Sequence, residues 1–278
     1  MKHFKNKVAV ITGAGSGIGR AIANRCGQVG MKVVLADIEQ QALDRAEQEL
    51  KSIGAGVMAV RTDVSSADSV EALAQKALHA FGGVHLLFNN AGVGAGSTVW
   101  DSTLADWQWV MGVNFWGVIH GIRAFMPLML AQDTECHIVN TASVAGLLPY
   151  HPSAPYQVTK HAVVALSENL YFSLAQRNAK IKVSVLCPGW VKTRILESER
   201  NRPEEYLNPS QQQILSPENE AIMQEMRQAV EAGMSPDHLA GFVFDAIREE
   251  KFYILSHPEF TPAIQTRMED ILEQRNPS

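Results

Sequence analysis

The feature that most constrains the fold of this chain is the segment of residues 8–23, in which an apolar run passes through a glycine-rich loop into a helical pattern. Glycine tolerates positive φ and lets backbone N–H groups approach a ligand, and the N-terminus of the following helix favours an anion such as pyrophosphate. A glycine-rich loop alone is a weak signal, because flexible loops also collect glycine. The loop residues expected to contact a dinucleotide are Gly13, Gly15, Ser16, Gly17, Ile18 and Gly19.

The next apolar run, residues 32–37, ends in Asp37, about 20 residues after the glycines, where dinucleotide-binding folds place the acceptor of the ribose hydroxyls. A 2′-phosphate beside this carboxylate would be repelled by roughly 4 kcal/mol per charge pair at about 4 Å and an effective dielectric of about 20. The sequence therefore predicts NAD in preference to NADP, with Asp37 and Ile38 at the ribose. Lys32 and Arg20 could soften the field, so NADP stays the second candidate.

Strand-like runs alternate with helical patterns along the whole chain, and the strand runs are residues 8–12, 32–37, 56–62, 86–89, 136–141, 182–187 and 252–255. Such alternation is typical of an α/β fold with a single Rossmann-type, doubly wound parallel sheet, here of about seven strands, flanked by helices on both faces. The motif order favours one domain over residues 1–278. Its cofactor-binding half is expected at about 1–140 and its catalytic half at about 141–278.

Tyr156 and Lys160 stand four residues apart in a segment of helical pattern, which makes their side chains neighbours on one helix face. Tyrosine in water titrates near about 10, and a neighbouring cation favours the phenolate. Lys160 is therefore predicted to lower the pKa of Tyr156 and to make it a usable general acid and base. The spacing alone also occurs by chance on ordinary helices, so its weight depends on the other motifs, beginning with Ser143 upstream.

Together these residues resemble the short-chain dehydrogenase/reductase family. Residues 12–19 match its Thr-Gly-x-x-x-Gly-x-Gly loop, and residues 187–193 resemble its Pro-Gly segment after the sixth strand. Residues 89–92 resemble the family's Asn-Asn-Ala-Gly segment after the fourth strand. Its catalytic tetrad is matched in order and spacing by Asn114, Ser143, Tyr156 and Lys160.

The resemblance implies a role for each tetrad residue. Tyr156 exchanges a proton with the substrate oxygen, which Ser143 holds by a hydrogen bond. Lys160 lowers the tyrosine pKa and binds the nicotinamide ribose, and Asn114 organises a water-linked proton path. On pattern alone, a helix residue bonded to backbone is an equally good interpretation of Asn114. The further cofactor contacts that the resemblance implies are Asp63 and Val64 at the adenine, Asn90, Ala91, Gly92, Pro188, Gly189, Val191, and Thr193 at the nicotinamide amide.

The activity implied is that of an NAD-dependent oxidoreductase, which moves hydride between the nicotinamide and a secondary alcohol or ketone. A cofactor-sensing regulator of the same fold would be expected to lose part of the tetrad, which is complete here. An epimerase or dehydratase of the extended relatives would carry a Thr-Gly-x-x-Gly-x-x-Gly loop, which the glycine spacing argues against.

Residues 194–237 depart from the α/β rhythm and are predicted to form a lid over the substrate, as in the family. Its apolar ceiling is expected from Ile195, Leu196, Tyr206, Leu207, Leu215, Ile222 and Met226. The pocket below is expected to include Gly94, Ala95, Leu147, Tyr150, His151 and Trp190 beside Ser143 and Tyr156. These side chains favour a medium-sized apolar or aromatic substrate. A solvated loop histidine is the preferred interpretation of His151.

Composition restricts the possible partners. A net charge of −5 and a pI near 6.0 provide no basic surface for nucleic acid. Three scattered cysteines show no metal spacing, no metal is expected, and they suggest a reducing compartment. Since no signal peptide or apolar run of about 20 residues is recognised, a soluble cytoplasmic protein without membrane contact is expected.

The resemblance also implies a homo-oligomer, most often a tetramer, built on two long helices of each subunit. The candidate helices lie around residues 107–130 and 156–176, whose apolar positions suffice for a core face and a partner face. A dimer stays open. The C-terminal tail, residues 263–273, is expected either to cap a neighbouring pocket or to pack on its own subunit.

Overall fold

The fold is that of a computed structural model, which describes residues 1–208 and 217–278, without the side chains of 217–219. A seven-stranded parallel sheet in the order β3-β2-β1-β4-β5-β6-β7 forms its centre. The strands are β1 (Val8–Thr12), β2 (Lys32–Asp37), β3 (Val57–Arg61), β4 (Leu86–Asn89), β5 (Cys136–Thr141), β6 (Ile181–Leu186) and β7 (Tyr253–Ile254).

Helices connect successive strands and cover both faces of the sheet. They are α1 (Gly17–Gln28), α2 (Gln40–Ser52), α3 (Ala67–Phe81), α4 (Leu104–Met111), α5 (Gly117–Gln132), α6 (Ala154–Gln176), α7 (Pro217–Ala232), α8 (Pro236–Glu249) and α9 (Thr261–Leu272). A π-helical turn, Gly112–Trp116, joins α4 to α5, and two 3₁₀ segments, Ile195–Asn201 and Glu204–Tyr206, follow β6.

The predicted fold class is confirmed, and each predicted strand is present within a few residues of its expected bounds. The central strands read as continuous apolar runs because both of their faces are covered, and every residue of β1 is buried. Successive residues point to opposite faces: Ala9 and Ile11 join the core under α1 and α8, whereas Val8 and Val10 join the core under α3 and α5. This alternation makes the sheet doubly wound.

The two cores have different partners. On one face Phe4, Ile22 and Phe244 pack against the sheet, and on the other Leu73 and Phe125 do so. Since α1 and α8 lie side by side on the first face, the glycine-loop helix packs against both the sheet and α8. The position of the loop is thus fixed by burial on both sides.

One helical stretch, Leu104–Gln132, is long and apolar enough to cross a bilayer by length and composition. Phe125 and Met129 on it are fully buried, and α5 packs on α3 and β4. The core of the fold therefore accounts for part of its apolar composition, since 39% of an 18-residue apolar window within the stretch is buried. Among the predicted lid residues, Leu215 lies outside the described residues.

Candidate active site

The predicted site residues lie at the carboxyl edge of the sheet. Because all strands run parallel, the loops after β1, β2, β4, β5 and β6 leave the sheet at this one edge. The strand order reverses between β1 and β4, and the two loops there separate to opposite faces. The crevice between them is where open α/β sheets bind their ligands.

The glycine loop is a cradle that side chains would fill. Gly13 has φ +66°, and a Cβ atom on it would lie 2.9 Å from Ala91 Cα. A Cβ on Gly19 would lie 2.1 Å from the carbonyl oxygen of Gly13. Gly17, with φ +53°, approaches Thr193, whose Cγ2 lies 3.0 Å from its Cβ position. The Pro-Gly segment after β6 therefore lies directly against the loop after β1.

Asp37 lies beside this cradle. Its Oδ2 accepts a hydrogen bond from Gly15 N at 2.8 Å, and its Oδ1 accepts one from Glu39 N at 3.0 Å. Both oxygens are therefore fixed by backbone donors, one in the glycine loop and one at the start of α2. Ile38 follows with 36% of its side chain exposed, at the rim of the same region.

Thr12, the last residue of β1, connects the glycine loop to the loop after β4. Its hydroxyl accepts hydrogen bonds from Asn90 N at 2.9 Å and from Ala91 N at 3.1 Å. The Asn90 amide donates in turn to the Thr12 carbonyl at 3.0 Å. Farther along the edge, Asp63 accepts from Ser65, and Val64 is buried against Gly117.

Asn114 lies in the π-helical turn between α4 and α5 and is 1% exposed. Its Oδ1 accepts from Val93 N at 2.8 Å, while its Nδ2 donates to Val93 O at 2.9 Å and to Thr159 Oγ1 at 3.2 Å. A π-turn in an α-helix is frequent at functional sites. The amide is thus bonded to backbone, as the alternative interpretation expected. The backbone is that of Val93 in the loop after β4, here called the pocket loop, and not that of its own helix.

Ser143, Tyr156 and Lys160 converge beneath the pocket loop. The Ser143 hydroxyl lies near enough to that of Tyr156 to influence its pKa, and it donates to Pro188 O at 3.4 Å. Ser143 is 8% exposed, and its hydroxyl accepts from Ala145 N at 3.2 Å. Lys160 is 3% exposed, donates from Nζ to Thr141 O at 3.0 Å, and lies over the Tyr156 ring, 5.3 Å from its centroid.

The N-terminus of α6 positions this trio. Ser153 is the N-cap residue and accepts from Tyr156 N at 3.3 Å, while its hydroxyl donates to Ala95 O at 2.5 Å. Pro155 lies in the first turn, where its missing N–H costs no helical hydrogen bond. The cap therefore ties the helix that carries Tyr156 and Lys160 to the loop after β4.

Burial controls the ionisation of the pair. Burial raises the pKa of the Tyr156 hydroxyl, more than the hydrogen bond with Ser143 lowers it. Burial likewise lowers the pKa of Lys160 to about 8, against the weaker effect of Cys187. Burial therefore sets the direction of the Tyr156 shift in this structure, and the predicted lowering of its pKa by Lys160 stays a prediction.

The predicted pocket residues separate into two groups. Gly94 donates from its N–H to Ser198 Oγ at 2.9 Å, and His151 stacks on Tyr156 with ring centroids 5.0 Å apart. Tyr150, by contrast, is 69% exposed, and Leu147 packs in a core cluster with Val163. The structure therefore brings His151 to Tyr156, places Gly94 against the first part of the predicted lid, and leaves Tyr150 exposed and Leu147 in the core.

The preferred interpretation of His151 as a solvated loop residue is wrong. Its ring is half-buried, its Nδ1 accepts from Ser153 N at 3.0 Å, and burial lowers its pKa. A stacked, neutral imidazole thus lies next to the tyrosine that the sequence singles out.

The first part of the predicted lid is anchored to the Asn114-bearing helical stretch. Arg202 and Asp106 form an ion pair of 2.5 Å whose side chains are 3% and 5% exposed. Arg202 also lies over the Trp109 ring, 5.0 Å from its centroid. Trp109 is itself 2% exposed and packs in a core cluster with Val93 and Val110. Ile222 and Met226 are half-buried on α7.

His257 is a site-supporting residue that the sequence analysis did not assign. Its Nδ1 accepts from Gly189 N at 3.0 Å, and its Nε2 donates to Trp190 O at 3.0 Å. Phe260 also leaves no room for a side chain on Gly189, whose Cβ position lies 2.6 Å from the ring. The segment after β7 therefore packs on its own subunit and supports the turn after β6. No local sequence signal could link residues 68 positions apart.

Fold and site together define a nucleotide-binding α/β protein of the Rossmann type. The sequence matches the short chain dehydrogenase family over residues 7–204, and the chain belongs to this family.

A solved structure of a short chain dehydrogenase/reductase from Burkholderia phymatum, in complex with NAD, is 49% identical in sequence and has a TM-score of 0.96 to this chain. The match covers 100% of this chain and 98% of the Burkholderia phymatum chain. A CLA biosynthesis dehydrogenase/reductase from Lactiplantibacillus plantarum is 34% identical over 277 residues, 100% of this chain and 97% of the relative. A 1-deoxy-11-beta-hydroxypentalenate dehydrogenase from Streptomyces exfoliatus is 32% identical over 271 residues, 97% of this chain and 90% of the relative.

Substitution of glycine by alanine separates the effect of steric crowding in the glycine loop from the effect of helix propensity. In Gly19→Ala, the new Cβ meets the Gly13 carbonyl, so the free energy of unfolding should fall by about 1–3 kcal/mol, the cost of overpacking. Gly241→Ala is the matched control, since it lies in α8 with no atom within 4 Å of its Cβ position. There the better helix propensity of alanine should add up to about 1 kcal/mol. Denaturant unfolding of both variants measures the difference, and equal effects would contradict the crowding of the loop.

Proposed function

We propose that this protein is an NAD-dependent oxidoreductase that interconverts a secondary alcohol and a ketone. The observation that carries the proposal is the convergence of Ser143, Tyr156 and Lys160, all largely withdrawn from water, at the sheet edge that also carries the glycine cradle. Such a site needs an acid and base and a donor for the substrate oxygen, and these side chains supply both.

The residues at the crevice fit a dinucleotide. The crowding around Gly13 and Gly19 requires glycine at both positions, and it fixes the backbone of a loop that leads into a helix N-terminus, where a pyrophosphate would bind. Asp37 would accept from the ribose hydroxyls, and Thr193 and Lys160 would hold the nicotinamide end. The NAD complex of the Burkholderia phymatum protein supports this assignment, and the Asp37 carboxylate supports NAD over NADP. When bound, the nicotinamide supplies the hydride acceptor or donor.

Tyr156 is the proposed proton carrier. Its raised pKa keeps the phenol protonated at neutral pH, which is the form that donates a proton to a ketone oxygen during reduction. In the oxidation direction the same atom accepts the hydroxyl proton of the alcohol. Ser143, whose hydroxyl lies near that of Tyr156, donates to the substrate oxygen and stabilises charge that develops on it.

Lys160 and Asn114 are proposed to hold this geometry. The Lys160 ammonium is fixed by the Thr141 carbonyl and stays above the ring of Tyr156. A Cβ on Gly92 would lie 3.6 Å from Lys160 Nζ and 3.5 Å from Asn114 Oδ1, so these polar groups flank one glycine. Asn114 fixes the backbone of Val93 there and is placed to support a proton relay through Lys160.

A medium-sized apolar or aromatic substrate is proposed. The pocket edge next to Tyr156 carries His151, and Val93 and Trp109 form an apolar cluster with Ala95 and Tyr206 below the lid. The name of the Streptomyces exfoliatus relative, a hydroxypentalenate dehydrogenase, supports a hydroxylated substrate.

We also propose one domain over residues 1–278, acting as a cytoplasmic homo-oligomer, a tetramer before a dimer. The single sheet, with strands from both halves of the chain, supports one domain. Exposed apolar side chains on α5 and α6 support subunit contacts there, namely Leu130, Val158, Tyr171 and Phe172. Phe125 and Val163 on the same helices are fully buried in the core, so they are not available for subunit contacts.

Removal of the phenol hydroxyl tests the proposal. Tyr156→Phe should leave NAD binding within about threefold, but should lower turnover of secondary alcohols by about 10²–10⁴-fold, the usual contribution of a positioned acid and base. Absorbance of the reduced cofactor follows turnover, and calorimetry measures binding. Tyr171→Phe, on the same helix with 45% of its side chain exposed, is the control and should keep full activity. Retained turnover in Tyr156→Phe would refute the assigned role.

The raised Tyr156 pKa predicts the pH dependence. Oxidation needs the phenolate, so kcat/KM for the alcohol should rise with pH from about 6 to about 9 without a plateau, because the usual tyrosine value is already about 10. Reduction needs the phenol and should change by less than about twofold between about pH 6 and about pH 7, below the Lys160 pKa of about 8; above that value the loss of the ammonium also lowers the rate. Steady-state rates at constant ionic strength measure both profiles. A plateau in oxidation at or below about pH 7 would show instead that the tyrosine pKa is lowered.

A further inference from the structure

A second charged cluster lies beside the cofactor crevice, away from Tyr156. Its centre is Glu39, the residue before α2, whose backbone N–H donates to Asp37 Oδ1 at 3.0 Å. Arg200 donates from Nε to Glu39 Oε1 at 2.9 Å, and its Nη2 lies 2.9 Å from the same oxygen. Asn201 Nδ2 donates to that oxygen at 2.9 Å, and Arg194 Nη1 lies 4.0 Å from Oε2.

The arginines come from the segment of residues 193–201, which crosses from the glycine loop to this cluster. It begins at Thr193, which lies against Gly17. It ends at Arg200 and Asn201, which donate hydrogen bonds to the Glu39 carboxylate. The backbone N–H of Glu39 in turn donates to Asp37, the proposed ribose acceptor. Two guanidinium groups are thus held close to the place where a 2′-phosphate would be attached.

The way in which Arg200 is bonded matters for phosphate recognition. A guanidinium binds a phosphate best through two parallel N–H donors. In Arg200 the Nε and Nη2 edge is occupied by Glu39, and Nη1 donates to the carbonyls of Arg194 and Glu197 at 3.1 and 2.8 Å. The edge suited to a phosphate is therefore engaged by a carboxylate.

Glu39 is charged at neutral pH. Burial alone would raise the pKa of its carboxyl, but the hydrogen bond from Asn201 and the charges of Arg200 and Arg194 hold it below the usual range. With Asp37, two carboxylates thus lie at this end of the crevice.

We infer that Glu39 is a specificity-determining residue that rejects a 2′-phosphate by keeping the Nε and Nη2 edge of Arg200 occupied. The inference rests on the proposed function, in that it assumes a nicotinamide dinucleotide in the crevice. Asp37 repels the phosphate directly, whereas Glu39 withholds the bidentate edge of Arg200. In this arrangement NADP is excluded by a partner of Arg200 as well as by charge.

Binding of two nucleotide fragments, 5′-AMP and 2′,5′-ADP, to the full-length protein tests this by calorimetry without any turnover. The wild type should bind 5′-AMP more tightly. Glu39→Gln, and more fully Glu39→Ala, should tighten 2′,5′-ADP by about tenfold, equivalent to about 1.4 kcal/mol, while 5′-AMP changes by less than about threefold. Adding Arg200→Met to Glu39→Gln should remove the gain.

The control is Glu197→Gln, which changes another glutamate of the same segment, one that bonds Arg194 at 2.7 Å and is 59% exposed. It should leave the ratio of the two affinities unchanged. An unchanged ratio in both Glu39 variants, or a gain that persists without Arg200, would overturn the inference. Failure of the wild type to bind 5′-AMP or NAD would instead contradict the proposed function, so the two failures are distinguishable.

Discussion

The parallel arrangement of the strands is the constraint on which the rest of the structure depends. Since every strand ends at the same edge, residues far apart in sequence are brought together there without long loops. Gly13 follows β1, Asp37 ends β2, Asn90 follows β4 and Ser143 follows β5. The switch in strand order between β1 and β4 opens a crevice at this edge, and the helix N-terminus after β1 faces it. Fold and site are therefore consequences of one topology.

Burial then determines the chemistry. Tyr156 and Lys160 extend from a capped helix into a region that is closed by β5 and the pocket loop, and loss of water there disfavours both the phenolate and the ammonium. The Lys160 ammonium donates a hydrogen bond to the Thr141 carbonyl and lies over the Tyr156 ring. Both contacts partly offset the cost of its burial. The proposed acid is thus held protonated and next to a cation, ready for transfer to an oxygen.

Much of the fold and of the site could be predicted from the sequence because the signals are local. Strands buried on both faces read as apolar runs, and the crowded loop requires glycine at positions 13 and 19. The direction of the Tyr156 pKa could not be predicted, since spacing gives the neighbour but not the burial. The hydrogen bond between His257 and Gly189 joins residues 68 positions apart, and that between Arg200 and Glu39 joins residues 161 positions apart. No local sequence pattern predicts either contact. Tyr150 and His151 are neighbours in the same loop, and only the packing shows that the His151 ring contacts Tyr156.

The central claim, that hydride passes between a carbinol carbon and NAD at this site, is tested most directly by isotope transfer. A panel of secondary alcohols deuterated at the carbinol carbon is incubated with the protein and NAD, and the reduced cofactor is examined by mass spectrometry. We expect any reduced cofactor to carry the deuterium, because the hydrogen moves directly between the two carbons. Reduced cofactor without deuterium, or NAD that binds but stays oxidised with every alcohol of the panel, would contradict it.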